Sequence, residues 1–539
     1  MKKVEFISIA AIIFLIVMRL STIDPGCDNS HDVFYHITMA DLGPSFYMSD
    51  RFPSLTLSCW YDNFSDKELS FHLLLSGVRG ALAYAGLPLG APFHIEFLFF
   101  AILLVGSFII TARYFQIEKI YLYTLAMVSI SPFFITRIVV LRPHLLSISL
   151  LVLSTVLFDL TNRWKRIWIP LLLGFVMAWS YSNPHFILLP AVAFGLSKLS
   201  RKQWQLAAAI PVITILGVVL GFIIHPQFPN TFLNWKIQCI DVVLVSLSKS
   251  SPVKIGNELS PGNLSFFMHN ISLLILQLLN VLLMIFYVFK LRTSENSISE
   301  ADAGDGENVS RAMSLNKPLI AMYAISFISF AGMFAAVRAG EYAVPFSLLA
   351  TGMLIKEYSK YDLFNFRGKV KKIIFVSAVT LLGAIMLYGG NDYYNRAKDL
   401  HFHPYTDFAK WLAESGIPQG EVIGNANWSD FPFLFYAAPN YRYLAGVDPM
   451  FAYFKYPAKM NRIELFRTGQ GFLTPEKLFD ATGTKYIFVS FYNSQLSEYM
   501  FKCGYVSIYQ GEDGNLFDLQ RSFLNIKKRS AAKLKLQNK

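Results

Sequence analysis

The sequence predicts a mainly α protein: a polytopic transmembrane helical bundle of about eleven spans, followed by a C-terminal α/β domain on the extracytoplasmic side. Three observations carry this. Of 539 residues, 54% are hydrophobic and only 16% charged, against about 25% charged in an ordinary soluble domain. Apolar runs of span length recur through the first two-thirds of the chain. After about residue 390 the composition returns to that of a soluble protein, with strand-like and helical stretches alternating. Mean hydropathy is +0.41.

The net charge of +12 does not point to nucleic acid. The basic residues gather in short loops between apolar runs, as topology signals do. Four cysteines in this length rule out a disulfide scaffold, and neither a CxxC nor a metal-type Cys/His spacing occurs. Cys27 and Cys59 both fall in the first long loop, where an oxidising compartment allows them to pair.

The N-terminal stretch MKKVEFISIAAIIFLIVMRLSTIDPGC has the positive start and apolar core of a signal peptide. No A-x-A site follows, and DPGC lacks the small residues of a lipoprotein signal, so the stretch is read as an uncleaved first span. The spans expected are 4–20, 93–112, 119–136, 144–160, 167–181, 185–197, 205–224, 268–289, 318–337, 342–355 and 373–390. With the N-terminus inside, the inside loops hold Lys2 and Lys3; Arg113 and Lys119; Arg163, Lys165 and Arg166; Lys198, Arg201 and Lys202; Lys290 and Arg292; and a last group from Lys356 to Lys372. This positive-inside pattern places loops 21–92 and 225–267 and everything after about 391 outside. Segment 293–316 is Ser-rich and acidic and reads as a disordered cytoplasmic linker. The domains expected are therefore 1–390, with its large external loop 21–92, and an extracytoplasmic 391–539. In the latter, EVIGNA, YRYLAGV, KYIFVS, YVSIY and LFDLQ read as strands, with helices near 404–415, 429–437 and 475–481.

On this topology the embedded polar residues share the outer side. Asp32 and His36, in NSHDVFYHITMADLG, follow the first span; Arg142 and His144 lie in LRPHLLS; Asn183 and His185 in WSYSNPHF; Arg338 and Glu341 in VRAGEY. Ionisable groups near membrane depth are costly and usually face an interior cavity, so four turns contributing such groups suggest one outward-facing polar site. Each residue also has a plainer reading. Asp32 stands in the first turn of a helix starting near Ser30, where a carboxylate offsets the helix dipole. Spacing i, i+4 puts His36 on the same face, as it would for a surface pair. Ser65 and Glu68 in SDKELSFHLLL match a capping box. Arg142, His144 and Arg338 suit headgroup contacts, and the N-P-H turn suits a helix that stops and restarts. The first loop also carries two amphipathic stretches, 31–41 and 66–86, the second like an interfacial helix.

DVFYHI, DKELSFHLLL, LRPHLLS and WSYSNPHFIL, with NWSDFPFLFY and GVDPMFAYF further on, give nearly the whole chain a resemblance to the GT-C superfamily, polytopic glycosyltransferases that use lipid-phosphate-linked sugars. It resembles most a bacterial group related to the protein O-mannosyltransferases and the aminoarabinose transferase. The resemblance implies an enzyme of the bacterial inner membrane. It would move a sugar from a polyprenyl-phosphate donor to a glycan, lipid or protein acceptor on the outer face, with membrane lipids as further partners. Asp32 is then the general base and Glu68 the second choice. His36, Arg142, His144, His185 and Arg338 are suited to the donor phosphate as it leaves. Asn183 and Glu341 are expected at the substrate. Trp428 and Asp448, with Asn427 and Asp430 beside them, stand in loops after strands, where an open sheet gathers ligands; Trp428 equally suits packing. No metal ligand set is indicated, and a divalent cation is left open. Two rivals remain: a transporter or flippase of lipid-linked or envelope glycans, and a non-catalytic membrane subunit.

Overall fold

The computed structural model describes residues 2–199, 203–248, 258, 260–301, 316–360, 369–399, 402–471 and 473–537. They group into two compact units. One comprises Met1–Thr22, His94–Gly221 and Glu258–Leu400; the other Ile23–Phe93, Phe222–Asn257 and His401–Lys539.

The first unit is the helical bundle. Helices occupy every expected span: Lys2–Leu20, His94–Tyr114, the pair Ile120–Ser129 and Pro132–Ile138, His144–Leu160, Trp168–Ser180, Leu188–Ser197, Trp204–Ile224, Ile271–Ala301, Lys317–Gly332, Gly340–Lys360 and Lys369–Ala397. Among the described residues, His94–Tyr114, Trp204–Ile224 and Ile271–Leu291 are each long and apolar enough to cross a membrane alone. The stretch expected as one span at 119–136 is broken, its halves bent by 88°. Pro132 opens the second half, and the backbone freed at the break is satisfied locally. Ser131 Oγ accepts from Phe134 N at 3.1 Å and donates to Asn270 Oδ1 at 2.7 Å, which also accepts from Phe133 N at 3.2 Å. Of the expected linker 293–316, the opening part continues the Ile271–Ala301 helix; 302–315 lies outside the described residues.

Two devices hold the helices together without a hydrophobic drive. Small residues let backbones approach. A Cβ on Gly221 would lie 2.7 Å from Ala178 Cβ, and one on Gly217 would lie 2.9 Å from the Leu171 carbonyl carbon. Polar side chains also bond across helices. Gln277 Oε1 accepts from Ser326 Oγ at 3.0 Å and Ser347 Oγ at 2.9 Å, and Thr351 Oγ1 donates to Asn280 Oδ1 at 2.7 Å.

The second unit is built on a four-stranded sheet of order β1-β2-β4-β3, with β1 Ile423–Asn425, β2 Tyr486–Ser490, β3 Val506–Gly511 and β4 Gly514–Asp518. β1 and β2 run parallel; the other pairs are antiparallel. The expected strand YRYLAGV makes only isolated bridges, Arg442 to Val422 and Tyr443 to Leu55. Its outer neighbour is the first loop: Thr56 N donates to Tyr443 O at 2.8 Å and Leu57 N to Leu444 O at 2.9 Å. The first-loop helix His31–Leu42 packs on the helix Phe431–Ala437 through aromatic rings, Phe34 on Phe433 at 5.4 Å and on Tyr436 at 5.2 Å. The compact unit holding the C-terminal domain thus takes in the first loop as well, because that loop's aromatic face is buried there.

Two local expectations are corrected. The second first-loop helix is Leu69–Tyr84, and its entry is not a Ser65–Glu68 capping box: Glu68 makes no side-chain cap, and Asp66 Oδ1 accepts from Glu68 N at 3.0 Å instead. Cys27 and Cys59 are both free and buried rather than paired. The Cys27 thiol donates to Asp24 O at 2.9 Å, and burial pushes the Cys59 thiol up to about 12.

Candidate active site

In the helical unit, three arginines converge on two carboxyl groups. The Pro132–Ile138 half-helix delivers Arg137, whose Nε donates to Glu341 Oε1 at 2.6 Å and whose Nη1 lies 3.0 Å from Glu258 Oε2. Arg338 Nη1 donates to Glu258 Oε1 at 2.9 Å, and Arg142 Nη1 is 3.9 Å from Glu258 Oε2. Glu258 is held here by backbone pairing: Val337 N donates to Ser260 O at 3.0 Å and Gly262 N to Met333 O at 2.9 Å. A Cβ on Gly262 would sit 2.8 Å from that Met333 oxygen, so only glycine fits. Burial works to raise the Glu258 carboxyl, but Arg338, Arg142 and Arg137 outweigh it and hold it well below the usual carboxylate range. Glu341 is fully buried, and its Oε2 has no hydrogen-bond partner. Three guanidiniums face two carboxyls, an excess of one positive charge even with both acids ionised.

Aromatic and histidine side chains wall this cluster. The Arg338 guanidinium lies 5.5 Å from the Tyr181 ring centroid, a cation–π contact. Phe186 meets Tyr342 edge-on at 5.2 Å, which brings the N-P-H turn alongside. His185 Nδ1 is buried with no hydrogen-bond partner, while Asn183 Nδ2 contacts Ser182 Oγ at 3.4 Å. His144 is buried and its Nε2–H donates to Arg137 O at 2.6 Å. It therefore clamps the turn between the two helices.

The second unit carries the other polar centre. Asp32 stands in the first turn of His31–Leu42, with His31 Nε2 3.2 Å from its Oδ1. Deeper along that helix, His36 Nδ1 meets His72 Nε2 at 2.9 Å, and His72 Nδ1 meets Asp66 Oδ2 at 2.6 Å. Asp66 is fixed from its backbone, since its N donates to Gln227 Oε1 at 2.6 Å. The Tyr35 ring stands edge-on to both histidines, at 5.2 and 6.0 Å. Burial raises the Tyr35 hydroxyl well above its ordinary range, and Asp66, Glu68 and Asp32 add to that. Three acids thus act on one buried phenol. Glu68 is buried, with Lys67 Nζ 4.0 Å from its Oε1.

On the sheet, Trp428 is half-buried in a short 3-10 turn, Trp428–Asp430, that Asn427 opens by accepting from Ser429 N at 3.4 Å. Asp448 Oδ1 accepts from Met450 N at 2.9 Å, a local bond two residues along the chain at the start of helix Met450–Tyr453. Asp430 is turned inward: its Oδ1 accepts from Tyr405 Oη and Ser490 Oγ, both at 3.0 Å.

Of the residues singled out by sequence, Arg142, His144, Arg338 and Glu341 come together, with Asn183 and His185 in the adjoining turn. Asp32, His36, Glu68, Trp428 and Asp448 belong to the other unit. Sequence reasoning missed Arg137 and Glu258, which complete the arginine cluster, and Asp66 and His72, which complete the histidine pair. Arg137 is hidden at the end of an apolar run. Glu258 has a faint signal, as one of two acids in loop 225–267. Among the described residues, no group of three or more His, Cys, Asp or Glu is arranged to hold a metal ion.

No family model matches the chain, and no curated protein does. Solved structures do. The archaeal oligosaccharyltransferase AglB from Archaeoglobus fulgidus, in complex with an inhibitory peptide and a dolichol-phosphate, aligns with a TM-score of 0.55 at 10% identity, over 94% of this chain and 72% of that one. The Archaeoglobus fulgidus oligosaccharyltransferase tethered with an acceptor peptide gives 0.56 at 11% identity, over 95% and 74%. ArnT from Cupriavidus metallidurans bound to undecaprenyl phosphate gives 0.50 at 13% identity, over 96% and 98%. Identities this low speak for the fold, and they do so along almost the entire chain. The chain thus shares its overall fold with the archaeal oligosaccharyltransferase and with ArnT.

Proposed function

We propose that this protein is a membrane glycosyltransferase that moves a sugar from a polyprenyl-phosphate-linked donor to an acceptor on the extracytoplasmic face of the bacterial inner membrane. The observation that carries this reading is the arginine cluster with its surplus positive charge. Preplaced cations favour the charge that develops on a departing phosphate, and arginine forks match phosphate oxygens. Neighbours solved with dolichol-phosphate and with undecaprenyl phosphate support a lipid-phosphate-linked donor in this reading. Loop charge supplies the sidedness.

In this reading Arg142 and Arg338, with Arg137, hold the donor phosphate. Glu258 and Glu341 keep the guanidiniums spread, His144 clamps their turn, and Asn183 and His185 extend the site. Asp32 takes the acceptor hydroxyl proton, with Glu68 as the second acid. Trp428 offers an apolar face to an acceptor sugar, and Asp448 edges that surface. The test is release of free polyprenyl phosphate by purified protein given a polyprenyl-phosphate sugar and candidate acceptors. Release that disappears in Asp32→Asn, with expression and membrane insertion kept, supports the reading. A carrier releases none, and an Asp32→Asn protein within a few-fold of wild type moves the base to another acid.

A further inference from the structure

The loop expected at 225–267 opens with a continuous helical rod that turns an apolar side outward. It consists of Asn230–Lys236, a π-helical turn Ile237–Asp241, and Val242–Ser248, and is about 28 Å long. A surface helix of a soluble domain sets its apolar stripe against the core and its polar side chains in water. Here the seat is partly polar. The buried side holds Thr231, Asn234, Ile237 and Val242. Asn234 Oδ1 accepts from Trp60 Nε1 at 3.1 Å, and Asn234 Nδ2 donates to Asn63 O at 3.4 Å. Asn230 Nδ2 donates to Phe64 O at 3.0 Å. The outward side carries Leu233, Ile240, Val243 and Leu244, from 38% exposed at Leu233 to 59% at Leu244. Their spacing of i, i+7, i+10 and i+11 keeps them on one face. Lys236 also faces outward, and its charge is matched by Asp241, five residues on across the π turn, with Nζ 2.7 Å from Oδ2.

What covers this face follows from the helix before it. Trp204–Ile224 is long and apolar enough to cross a membrane, so Ile224 stands where the chain leaves the hydrocarbon. The rod is fastened to that point. Phe228 N donates to His225 O at 3.0 Å and Asn230 N to Gln227 O at 2.8 Å, so the link is a run of tight turns. Thr231 Oγ1 then donates to Phe222 O at 3.1 Å, and the Phe232 ring meets the Phe222 ring edge-on at 5.2 Å. The first turn of the rod thus touches the last turn of the span. Ile223, Ile224 and Phe228, beside that tie, are exposed as well. The apolar face continues to Val243 and Leu244 near the far end of the rod, as it should for a rod that runs along a bilayer surface instead of rising from it.

We propose that 230–248 is an interfacial helix that binds phospholipid. It lies in the headgroup–acyl boundary of the leaflet at which Trp204–Ile224 ends, with Leu233, Ile240, Val243 and Leu244 against the lipid. Loop charge makes this the outer leaflet. A lysine at that depth raises its ammonium toward the lipid phosphates while its stem stays among apolar groups, which suits Lys236. The rod also carries a load. Through Asn230 and Asn234 it holds the first loop at Trp60, Asn63 and Phe64, and so ties that loop to the membrane surface. None of this depends on the sugar-transfer reading.

The experiment is spin-label accessibility in the full-length protein, reconstituted in liposomes of phosphatidylethanolamine and phosphatidylglycerol. Cys239→Ala and Cys503→Ala clear the background, since Cys27 and Cys59 are buried. Nitroxides are attached singly through Leu233→Cys, Ile240→Cys and Leu244→Cys. Lys410→Cys, at a side chain 78% exposed, is the water-facing control. Three positions along the rod guard against a folding defect at any one of them. Expected at all three is more relaxation by dissolved oxygen, which concentrates in the acyl region, than by a water-soluble nickel chelate, with the reverse order at Lys410→Cys. Chelate outweighing oxygen at Ile240→Cys and Leu244→Cys puts the face in water and overturns the proposal. Low relaxation by both reagents at those positions gives the face to a protein partner or a second copy of the chain, and overturns it equally.

Discussion

Replacing Asp430 by Asn should make the sheet unit more stable at pH 8 and erase most of its pH dependence. The carboxyl is 1% exposed. Its Oδ1 accepts two hydroxyl bonds, and its Oδ2 has no hydrogen-bond partner. Burial pushes it from its ordinary 3.8 up to about 7, with the Tyr405 and Ser490 bonds pulling part of the way back. Between those two values the folded chain holds a proton that the unfolded chain has lost. Stability therefore falls as pH rises from about 4 to about 7 and is level above that. Three pH units at about 1.4 kcal/mol each amount to roughly 4 kcal/mol. Asn cannot ionise, keeps an acceptor for both hydroxyls, and leaves an N–H where the protonated acid leaves an O–H. The two proteins should melt together near pH 4. At pH 8 the variant should melt higher by roughly 8–16 °C, at 2–4 °C per kcal/mol for a unit of this size. Tryptophan fluorescence melts of the detergent-solubilised protein across pH 4–8 measure this. A variant whose melting temperature falls with pH in parallel with the wild type would mean that Asp430 is ionised when folded, and the reasoning would fail.

Arg338→Met should strip the cluster of its surplus charge and remove the nearest partner of Glu258, at a cost of about 3–5 kcal/mol for breaking a buried pair. Thermal shift and polyprenyl phosphate titration read both effects, and a variant that binds as the wild type does removes the arginine site from the reading. Gly217→Leu should drive the Trp168–Ser180 and Trp204–Ile224 helices apart, and the protein should be lost from the monodisperse peak in size exclusion; an unchanged peak contradicts the close packing. The denatured protein should titrate the same number of thiols with and without prior reduction, since none of the four cysteines is in a disulfide; a rise on reduction would show that Cys27 and Cys59 pair.

The bundle was legible because span length is a local signal, and every expected apolar run carries a helix. The break at Ser131-Pro132 was not, because hydropathy averages over it, and what stabilises it is Asn270, far along the chain. β1 to β4 were legible as short β-branched and aromatic runs. YRYLAGV was misread as a full strand because its pairing is set by an edge partner at residues 54–57. Arg142 and Arg338 were found through their turns, but Arg137 ends an apolar run and their shared counter-ion Glu258 sits in an unpatterned loop. His36 was seen, and its partner His72 was not, since His72 and the Asp66 that it contacts lie on another segment and no spacing rule links them.

The second unit closes over an unusual stretch of chain. The bond from Thr56 to the Tyr443 carbonyl spans 387 residues. At the usual pace of about 5–20 residues per second, roughly 20–80 s separate the synthesis of its two ends. During that interval the His31–Leu42 helix has no Phe431–Ala437 helix to seat against, and its aromatic face stands uncovered. The helix that carries Asp32 and His36 meets its packing partner only once the chain has grown past residue 437. A chain cut short before residue 431 therefore lacks the helix against which that aromatic face is buried.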